Sequence, residues 1–170
     1  MASYDYGKAE VCAWIRREFP RTAMILDVGA GDGKWRRLLP EYPNMEAVEA
    51  YIPNADRLRG YSRVHYAQIQ YFEYLWYDLI IFGDVLEHLT PLQARAVLDY
   101  AWPRCRDLVA AVPFRYEQGE LYGNPFERHL QDDLTPEIVA ERYPMLEVLH
   151  DPGHGYCYYR KGDAAGRDAG

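Results

Sequence analysis

The sequence predicts an α/β domain in which helices cover both faces of a doubly wound, mainly parallel sheet, giving three layers. Two observations lead to this fold class. Short apolar runs alternate with helix-like segments along the chain, which is typical of sheets assembled from β-α-β units. The last two runs, 145–150 and 156–160, flank the turn-forming residues Asp-Pro-Gly-His-Gly, so they predict a hairpin and an antiparallel C-terminal strand.

Each element is predicted from a local signal. Strands are expected over seven runs: 24–28, 45–49, 63–66, a run that starts at 77, 108–112, 145–150 and 156–160. Helices are expected over 8–19, from the glycine-rich loop to 39, around 55–59, from 91 to 102, and from 136 to the residue before Pro144. The helix at 91 has the clearest start, because Thr90, Pro91 and Gln93 form a T-x-x-Q capping box with proline in the first turn.

A glycine-rich segment follows the first predicted strand. The apolar run reaches Asp27, and Gly29, Gly31 and Gly33 follow at intervals of two residues. Backbone without a Cβ atom can turn tightly from a strand into a helix and approach a ligand closely, so the pattern predicts a nucleotide-cofactor loop. Dinucleotide-binding loops usually read G-x-G-x-x-G, but Lys34 occupies the place of the third glycine. The spacing therefore disfavours a cofactor that contains a pyrophosphate.

A carboxylate ends the second predicted strand, twenty residues past Gly29. Glu49 in this place can accept hydrogen bonds from both hydroxyls of a ribose, and the spacing suits NAD as well as other nucleotides. The alternative interpretation is a solvated acid at the end of a strand. Glu49 thus predicts a bound ribose without deciding which cofactor carries it.

The segment 77–89 reads as a buried strand that runs into a polar bend. With the glycine loop and Glu49, it resembles the motifs of class I (Rossmann-like) S-adenosylmethionine-dependent methyltransferases in order and spacing. The three motifs span 24–89, and the remaining elements follow the plan of that family to about residue 161. The resemblance implies a seven-stranded sheet, S-adenosyl-L-methionine as cofactor, S-adenosyl-L-homocysteine as product, and methyl transfer as the reaction.

The resemblance also implies which residues bind the cofactor. These are Asp27, Gly29, Ala30 and Gly31 at the methionine end, Glu49 at the ribose, Ala50, Tyr51, Gln68 and Ile69 around the adenine, and Gly83 and Asp84 beside the methionine moiety or the acceptor. One position departs from the family, because an aspartate commonly contacts the adenine amino group and Gln68 stands there instead. The amide oxygen of Gln68 can accept the same hydrogen bond.

The signals on the acceptor side are weaker. The connection 113–134 is long for a compact domain and is predicted to be the substrate-side loop. Within it His129 is the candidate catalytic base or acceptor-positioning group, and His88 is a second catalytic candidate. Each histidine also has a structural interpretation, His129 as an exposed loop residue and the Glu87-His88 pair as a brace for its own loop. Nothing in the sequence identifies the acceptor.

Length, charge and cysteine content indicate the number of domains, the class of partner and the location of the protein. The 170 residues predict one domain over 1–161, with an N-terminal helical segment in 1–20 and a disordered tail over 162–170. A net charge of −7 argues against general nucleic-acid binding. Three cysteines without metal-ligand spacing, and no signal peptide or apolar span, predict a cytoplasmic protein without a metal site. Both a monomer and a homodimer are compatible with the sequence.

Four functions are compatible with these motifs. The main prediction is an enzyme that transfers a methyl group to an oxygen or nitrogen of a small-molecule or glycan-like acceptor. The first alternative is a non-catalytic S-adenosylmethionine-binding module that serves as the partner of another protein. A metal-assisted RNA ribose 2'-O-methyltransferase is a lower alternative, because some of these enzymes bind the metal through E-x-x-E-H and a distant histidine. This chain has a similar series in Asp84, Glu87, His88 and His129. An NAD-dependent oxidoreductase is disfavoured by Lys34 and the terminal hairpin.

Overall fold

The computed structural model of the protein describes residues 5–162. Seven strands form one sheet: β1 (Ile25–Val28), β2 (Met45–Glu49), β3 (Arg63–Tyr66), β4 (Tyr77–Gly83), β5 (Cys105–Pro113), β6 (Leu146–Gly153) and β7 (Tyr156–Lys161). Their order across the sheet is β3-β2-β1-β4-β5-β7-β6. The predicted tail, 162–170, lies outside the described residues except for Gly162.

Strand directions match the fold class predicted from the sequence. Strands β1 to β5 pair parallel, whereas β7 pairs antiparallel with both β5 and β6. The hairpin turn is shorter than predicted, because the strands extend until only His154 and Gly155 remain between them. Both residues have positive φ, 60° and 70°, as the tight two-residue turns of hairpins require. The mainly parallel sheet with an antiparallel final strand is therefore confirmed.

Within residues 5–162, four α-helices accompany the sheet: one precedes β1 and three connect strands. They are α1 (Lys8–Glu18), α2 (Lys34–Leu38), α3 (Pro91–Ala101) and α4 (Pro136–Arg142). The predicted capping box is present at α3, where the Thr90 hydroxyl accepts from the Gln93 N–H and the Gln93 side chain accepts from the Thr90 N–H. No helix within residues 5–162 has the length and hydropathy needed to span a membrane.

The helix expected around 55–59 is wrong in both type and position. The segment Ile52–Arg57 forms a 3₁₀ helix instead. The N–H groups of Asn54 and Leu58 each donate to a carbonyl three residues earlier, which is the 3₁₀ pattern. Pro53 lies in the first turn, and Gly60, with a φ of 88°, lies just beyond the segment. Short 3₁₀ segments of this kind are common connectors between regular elements.

Two apolar clusters lie on opposite faces of the sheet. Successive residues of β1 alternate between them, because side chains of a strand point to opposite faces. Ile25 packs in the cluster that contains residues of α1, whereas Leu26 packs in the cluster that contains residues of α3 and α4. The structure thus has the three predicted layers of helix, sheet and helix.

Glycine backbone permits the close packing where β1 and β4 end side by side. The order of the strands reverses at this point, so the loops after the two strands diverge and leave a crevice. A Cβ atom on Gly29 would lie 2.7 Å from a methyl carbon of Val85, and a Cβ atom on Gly83 would lie 2.2 Å from the indole nitrogen of Trp35. Trp35 is buried, and Gly83 is the residue that makes room for it.

Gly83→Ala is expected to lower the free energy of unfolding by about 1–3 kcal/mol, the usual cost of overpacking a core. The Trp35 indole is rigid and enclosed, so relief requires movement of α2 or of the strand end. Gly119→Ala is the matched control, because a Cβ atom there meets nothing within 4 Å. We expect the control to change the free energy of unfolding by less than about 0.5 kcal/mol in urea denaturation. Equal stability of the two variants would contradict this packing.

Candidate functional site

A cleft of about 270 Å³ opens where β1, β2 and β4 end. Seven of the residues singled out from the sequence line it: Gly29, Glu49, Ala50, Gln68, Ile69, Asp84 and His88. The substrate-side loop supplies another part of the wall, through Asn124, Phe126, Glu127, Arg128 and Leu130. Residues far apart in sequence therefore meet in one cleft because parallel strands present their carboxyl ends at the same edge of the sheet.

A second, smaller cavity lies beside the first. Gly31 and Tyr51, two further residues predicted to bind the cofactor, line it together with Arg57. Asn124 and Glu127 line both cavities, so the substrate-side loop lies between them. The two cavities together contain nine of the thirteen residues predicted for the site.

Glu49 joins the glycine loop to the end of β2. Its Oε2 accepts a hydrogen bond of 2.7 Å from the Gly31 N–H, and its Oε1 accepts one of 2.7 Å from the Tyr51 N–H. Burial raises the pKa of the Glu49 carboxyl, and these backbone donors oppose that shift. The Asn54 side chain is a third donor to this carboxylate. The two carboxylate oxygens offer about four acceptor sites, so the group keeps capacity for a further donor in the cleft.

Four of the predicted residues line neither cavity: Asp27, Ala30 and Gly83, which are buried, and His129, which is partly buried. The hydroxyl of Tyr61 donates to Oδ2 of Asp27, while Oδ1 has no hydrogen-bond partner among the described residues. Burial raises the pKa of Asp27 to about 7. Tyr61 was not singled out from the sequence, because nothing local links it to an acid 34 residues away.

The two candidate catalytic histidines lie together. The ring centroids of His88 and His129 are 4.8 Å apart, in an edge-on arrangement. Nδ1 of His88 lies 3.2 Å from the Arg128 carbonyl and Nδ1 of His129 lies 2.7 Å from the Tyr116 carbonyl. A carbonyl only accepts, so each Nδ1 donates and each Nε2 keeps its lone pair. Burial lowers the pKa of both imidazoles, which favours their neutral form at pH 7.

Glu87 lies against this histidine pair. It is fully buried, and neither carboxylate oxygen has a hydrogen-bond partner among the described residues. Its Oε1 is 4.0 Å from Nε2 of His88, and burial raises the pKa of the carboxyl well above its ordinary value. Glu87, His88 and His129 each offer one atom that could bind a metal ion, and these three atoms lie within 4.8 Å of one another. The sequence indicated Glu87 in two ways, as part of a brace for its own loop and as a ligand in the metal-assisted alternative.

Asp84 has an unusual backbone conformation at the end of β4. Its φ is 57°, in the left-handed region that residues with a side chain rarely adopt. The Tyr156 hydroxyl donates to Oδ1 of Asp84, and Nζ of Lys8 lies 4.0 Å from Oδ2. The sequence did carry a signal for Lys8, because it shares the spacing of a helix face with the buried residues Val11, Cys12 and Ile15.

The raised pKa of Asp27 predicts how stability depends on pH. Asp27 keeps its proton in the folded protein up to about pH 7, whereas in the unfolded chain it releases the proton above about pH 4. Its contribution to the free energy of unfolding is therefore greatest below about pH 4 and is lost as the pH rises to about 7. The loss amounts to roughly 4 kcal/mol at most. Asp27→Asn keeps an oxygen for Tyr61 and cannot ionise, so its free energy of unfolding should fall less between pH 4 and 7 in urea titrations. Parallel profiles for the variant and the wild type would contradict the assignment.

Several solved structures that share this fold are structures of methyltransferases. No family model and no curated protein sequence matches the chain significantly. The 1,6-didemethyltoxoflavin-N1-methyltransferase of Burkholderia thailandensis, solved with S-adenosylhomocysteine, superposes with a TM-score of 0.64 at 19% identity, over 94% of this chain and 80% of that one. CalS10, an amino pentose methyltransferase from Micromonospora echinaspora solved with S-adenosylmethionine, gives a TM-score of 0.67 at 16% identity, over 94% and 91%.

Two further methyltransferase structures have the same fold. The methyltransferase domain of bacterial CtHen1 superposes with a TM-score of 0.64 at 18% identity, over 91% of this chain and 96% of that one. The small RNA methyltransferase HEN1 gives a TM-score of 0.68 at 15% identity, and its chain is matched over 24% of its length. The strand order, the antiparallel hairpin and these superpositions agree: the protein has the fold of class I S-adenosylmethionine-dependent methyltransferases.

Proposed function

We propose that the protein is an S-adenosyl-L-methionine-dependent methyltransferase that acts on an oxygen or nitrogen of a small-molecule or glycan-like acceptor. The observation that carries the proposal is Glu49. Its carboxylate is buried at the end of β2, is fixed by two backbone N–H groups and the Asn54 side chain, and keeps acceptor capacity at the wall of the cleft. A carboxylate in this place can accept hydrogen bonds from the hydroxyls of a ribose.

The rest of the cleft fits the other parts of such a cofactor. Ala50, Gln68 and Ile69 line the cleft with Glu49 and form a mixed apolar and amide surface suited to adenine. Gly29 and Asp84 line it at the ends of β1 and β4, where the methionine end would lie. Asp27 would act indirectly, by holding the glycine loop through Tyr61, since it lines neither cavity.

The histidine pair suits the removal of a proton from an acceptor. The cofactor would supply an electrophilic methyl carbon bonded to a sulfonium, and the acceptor must approach that carbon in line at about 3 Å. Nε2 of His129 or His88 can take the proton of an O–H or N–H group as that atom forms its bond to carbon. The hydrogen bonds from Nδ1 to backbone carbonyls fix both rings, so this base is already oriented.

Charge and wall composition favour a small acceptor over a nucleic acid. The chain has a net charge of −7, whereas affinity for nucleic acids depends on cations that neutralise phosphates. The cleft also includes Phe126 and Leu130, which are 42% and 48% exposed and offer apolar surface to an acceptor ring. The named neighbours that act on a didemethyltoxoflavin and an amino pentose support this class of acceptor. We also propose a cytoplasmic location, consistent with three buried, unpaired cysteines.

Cofactor binding tests the proposal. S-adenosylhomocysteine should raise the melting temperature, whereas NAD and NADP should not, because a ligand stabilises the state that binds it. Stabilisation by NAD alone would identify an oxidoreductase instead. Binding of S-adenosylhomocysteine without turnover of S-adenosylmethionine on any small-molecule, glycan or RNA acceptor would support the non-catalytic partner module.

Glu49→Ala should weaken S-adenosylhomocysteine binding by at least about tenfold, since it removes charge-assisted hydrogen bonds to the ribose and frees the Gly31 N–H. Isothermal titration calorimetry gives the change directly. Glu10→Ala is the control, because Glu10 is an exposed carboxylate on α1. Equal affinity of the Glu49 variant and the wild type would remove the ribose assignment.

A second candidate function is supported by Glu87. We propose as the alternative a metal-assisted methyltransferase, because a buried carboxylate without a hydrogen-bond partner next to two neutral imidazoles is a fitting set of donors for a divalent ion. Glu87, His88 and His129 would hold the ion, which would polarise an acceptor hydroxyl. The likeness to HEN1, a small RNA methyltransferase, adds RNA to the acceptors that need testing.

Titration with Mn²⁺ separates the two candidates. The metal-assisted alternative predicts one bound Mn²⁺ per chain, loss of that binding in His129→Ala, and loss of activity with EDTA that Mn²⁺ restores. His154→Ala should bind as the wild type does, because His154 is an exposed residue of the hairpin turn. If Mn²⁺ does not bind and EDTA has no effect, but His129→Ala still loses activity, the histidine-base mechanism is supported.

A further inference from the structure

Lys8 is a buried cation at the start of α1. Its side chain is 3% exposed, and its Nζ lies 5.5 Å from the ring centroids of Trp35 and Tyr156 and 5.9 Å from that of Tyr158. Burial lowers the pKa of Lys8, whereas the charge of Asp84 opposes that shift. Aromatic faces attract a cation but do not replace its hydration, so a lysine in this place needs a carboxylate nearby.

Asp84 is that carboxylate, and it is also part of the cleft wall. Its two oxygens are held from different elements, Oδ1 by the Tyr156 hydroxyl of β7 and Oδ2 by the Lys8 ammonium of α1. Asp84 has a positive φ, which is unfavourable for a residue with a side chain and persists only where surrounding contacts hold it. Such strained residues are concentrated at functional sites. Tyr156 and Lys8 thus fix the orientation of the Asp84 carboxylate at the wall of the cleft.

The proposed cofactor and its product differ by one charge in this region. S-adenosylmethionine carries a positive sulfonium, whereas S-adenosylhomocysteine carries a neutral thioether in its place. The ammonium and carboxylate of the methionine end are common to both. A carboxylate fixed near the sulfur therefore stabilises the donor more than the product, and the difference is large where water is excluded.

We propose that Lys8 and Tyr156 are positioning residues that hold the Asp84 carboxylate in the cleft, where its charge makes the site prefer the sulfonium donor over the thioether product. The inference rests on the proposed function and assigns the N-terminal helix a part in the cofactor site. Loss of Lys8 removes the positive charge next to Oδ2 of this buried carboxylate. The carboxylate is then less well held and relaxes toward water, and the preference for the donor is lost.

The test compares the dissociation constants of S-adenosylmethionine and S-adenosylhomocysteine, measured by calorimetry without an acceptor. Lys8→Met keeps the length and apolar contacts of the side chain and removes its charge. We expect this variant to weaken binding of the donor about tenfold more than binding of the product, the size expected for one close charge interaction. Lys8→Arg should retain the wild-type ratio, and Tyr156→Phe should shift the ratio in the same direction as Lys8→Met.

Arg17→Met on the same helix is the matched control, because Arg17 is exposed and pairs with its neighbour Glu18. If Lys8 had only a structural role, Lys8→Met would weaken binding of the donor and of the product equally. That result would overturn the inference, as would an unchanged ratio of the two dissociation constants in both Lys8→Met and Tyr156→Phe. Wild-type protein that binds neither ligand would instead overturn the proposed function. Where turnover is measured, Lys8→Met should raise KM for the donor more than it lowers kcat.

Discussion

The site depends on how closely the ends of β1 and β4 approach each other at the centre of the sheet. Strand order reverses between them, and this topology opens the crevice. The approach is possible because Gly29 leaves space for Val85 and Gly83 leaves space for Trp35. The glycines therefore have two uses. Gly29 presents backbone without a Cβ atom to the cleft, and both glycines leave the space in which Val85 and Trp35 pack against the strand ends. A Cβ atom at either position would move the walls of the cleft.

Charge is distributed unevenly around this crevice. Glu49, Asp84 and Glu87 are buried carboxylates within one edge of the sheet, and Lys8 is a buried cation beside them. Two of the carboxylates have different partners. Glu49 accepts hydrogen bonds from backbone N–H groups and the Asn54 side chain, whereas Asp84 accepts one from a tyrosine and pairs with a lysine. Glu87 has no hydrogen-bond partner among the described residues, which is costly unless it is protonated or binds a ligand. Buried carboxylates in a cleft suit a cofactor that carries a positive sulfonium.

The sequence predicted what depends on local patterns and on topology. Glu49 and Asp84 could be assigned to one site because parallel strands end at the same edge, whatever the details of packing. Contacts between side chains distant in sequence could not be assigned, as between Tyr61 and Asp27 or Lys8 and Asp84, because they depend on how the helices pack on the sheet. The 3₁₀ helix at 52–57 was misjudged, since so short a segment has little periodicity to read.

The central claim is that one cleft, with Glu49 in its wall, binds an adenosyl cofactor. A crystal structure of the protein with S-adenosylhomocysteine tests it most directly. The account predicts both ribose hydroxyls donating to the Glu49 carboxylate, adenine beside Gln68 and Ile69, and the sulfur on the side of Asp84. A ligand bound elsewhere, or bound in this cleft with its ribose away from Glu49, would contradict it.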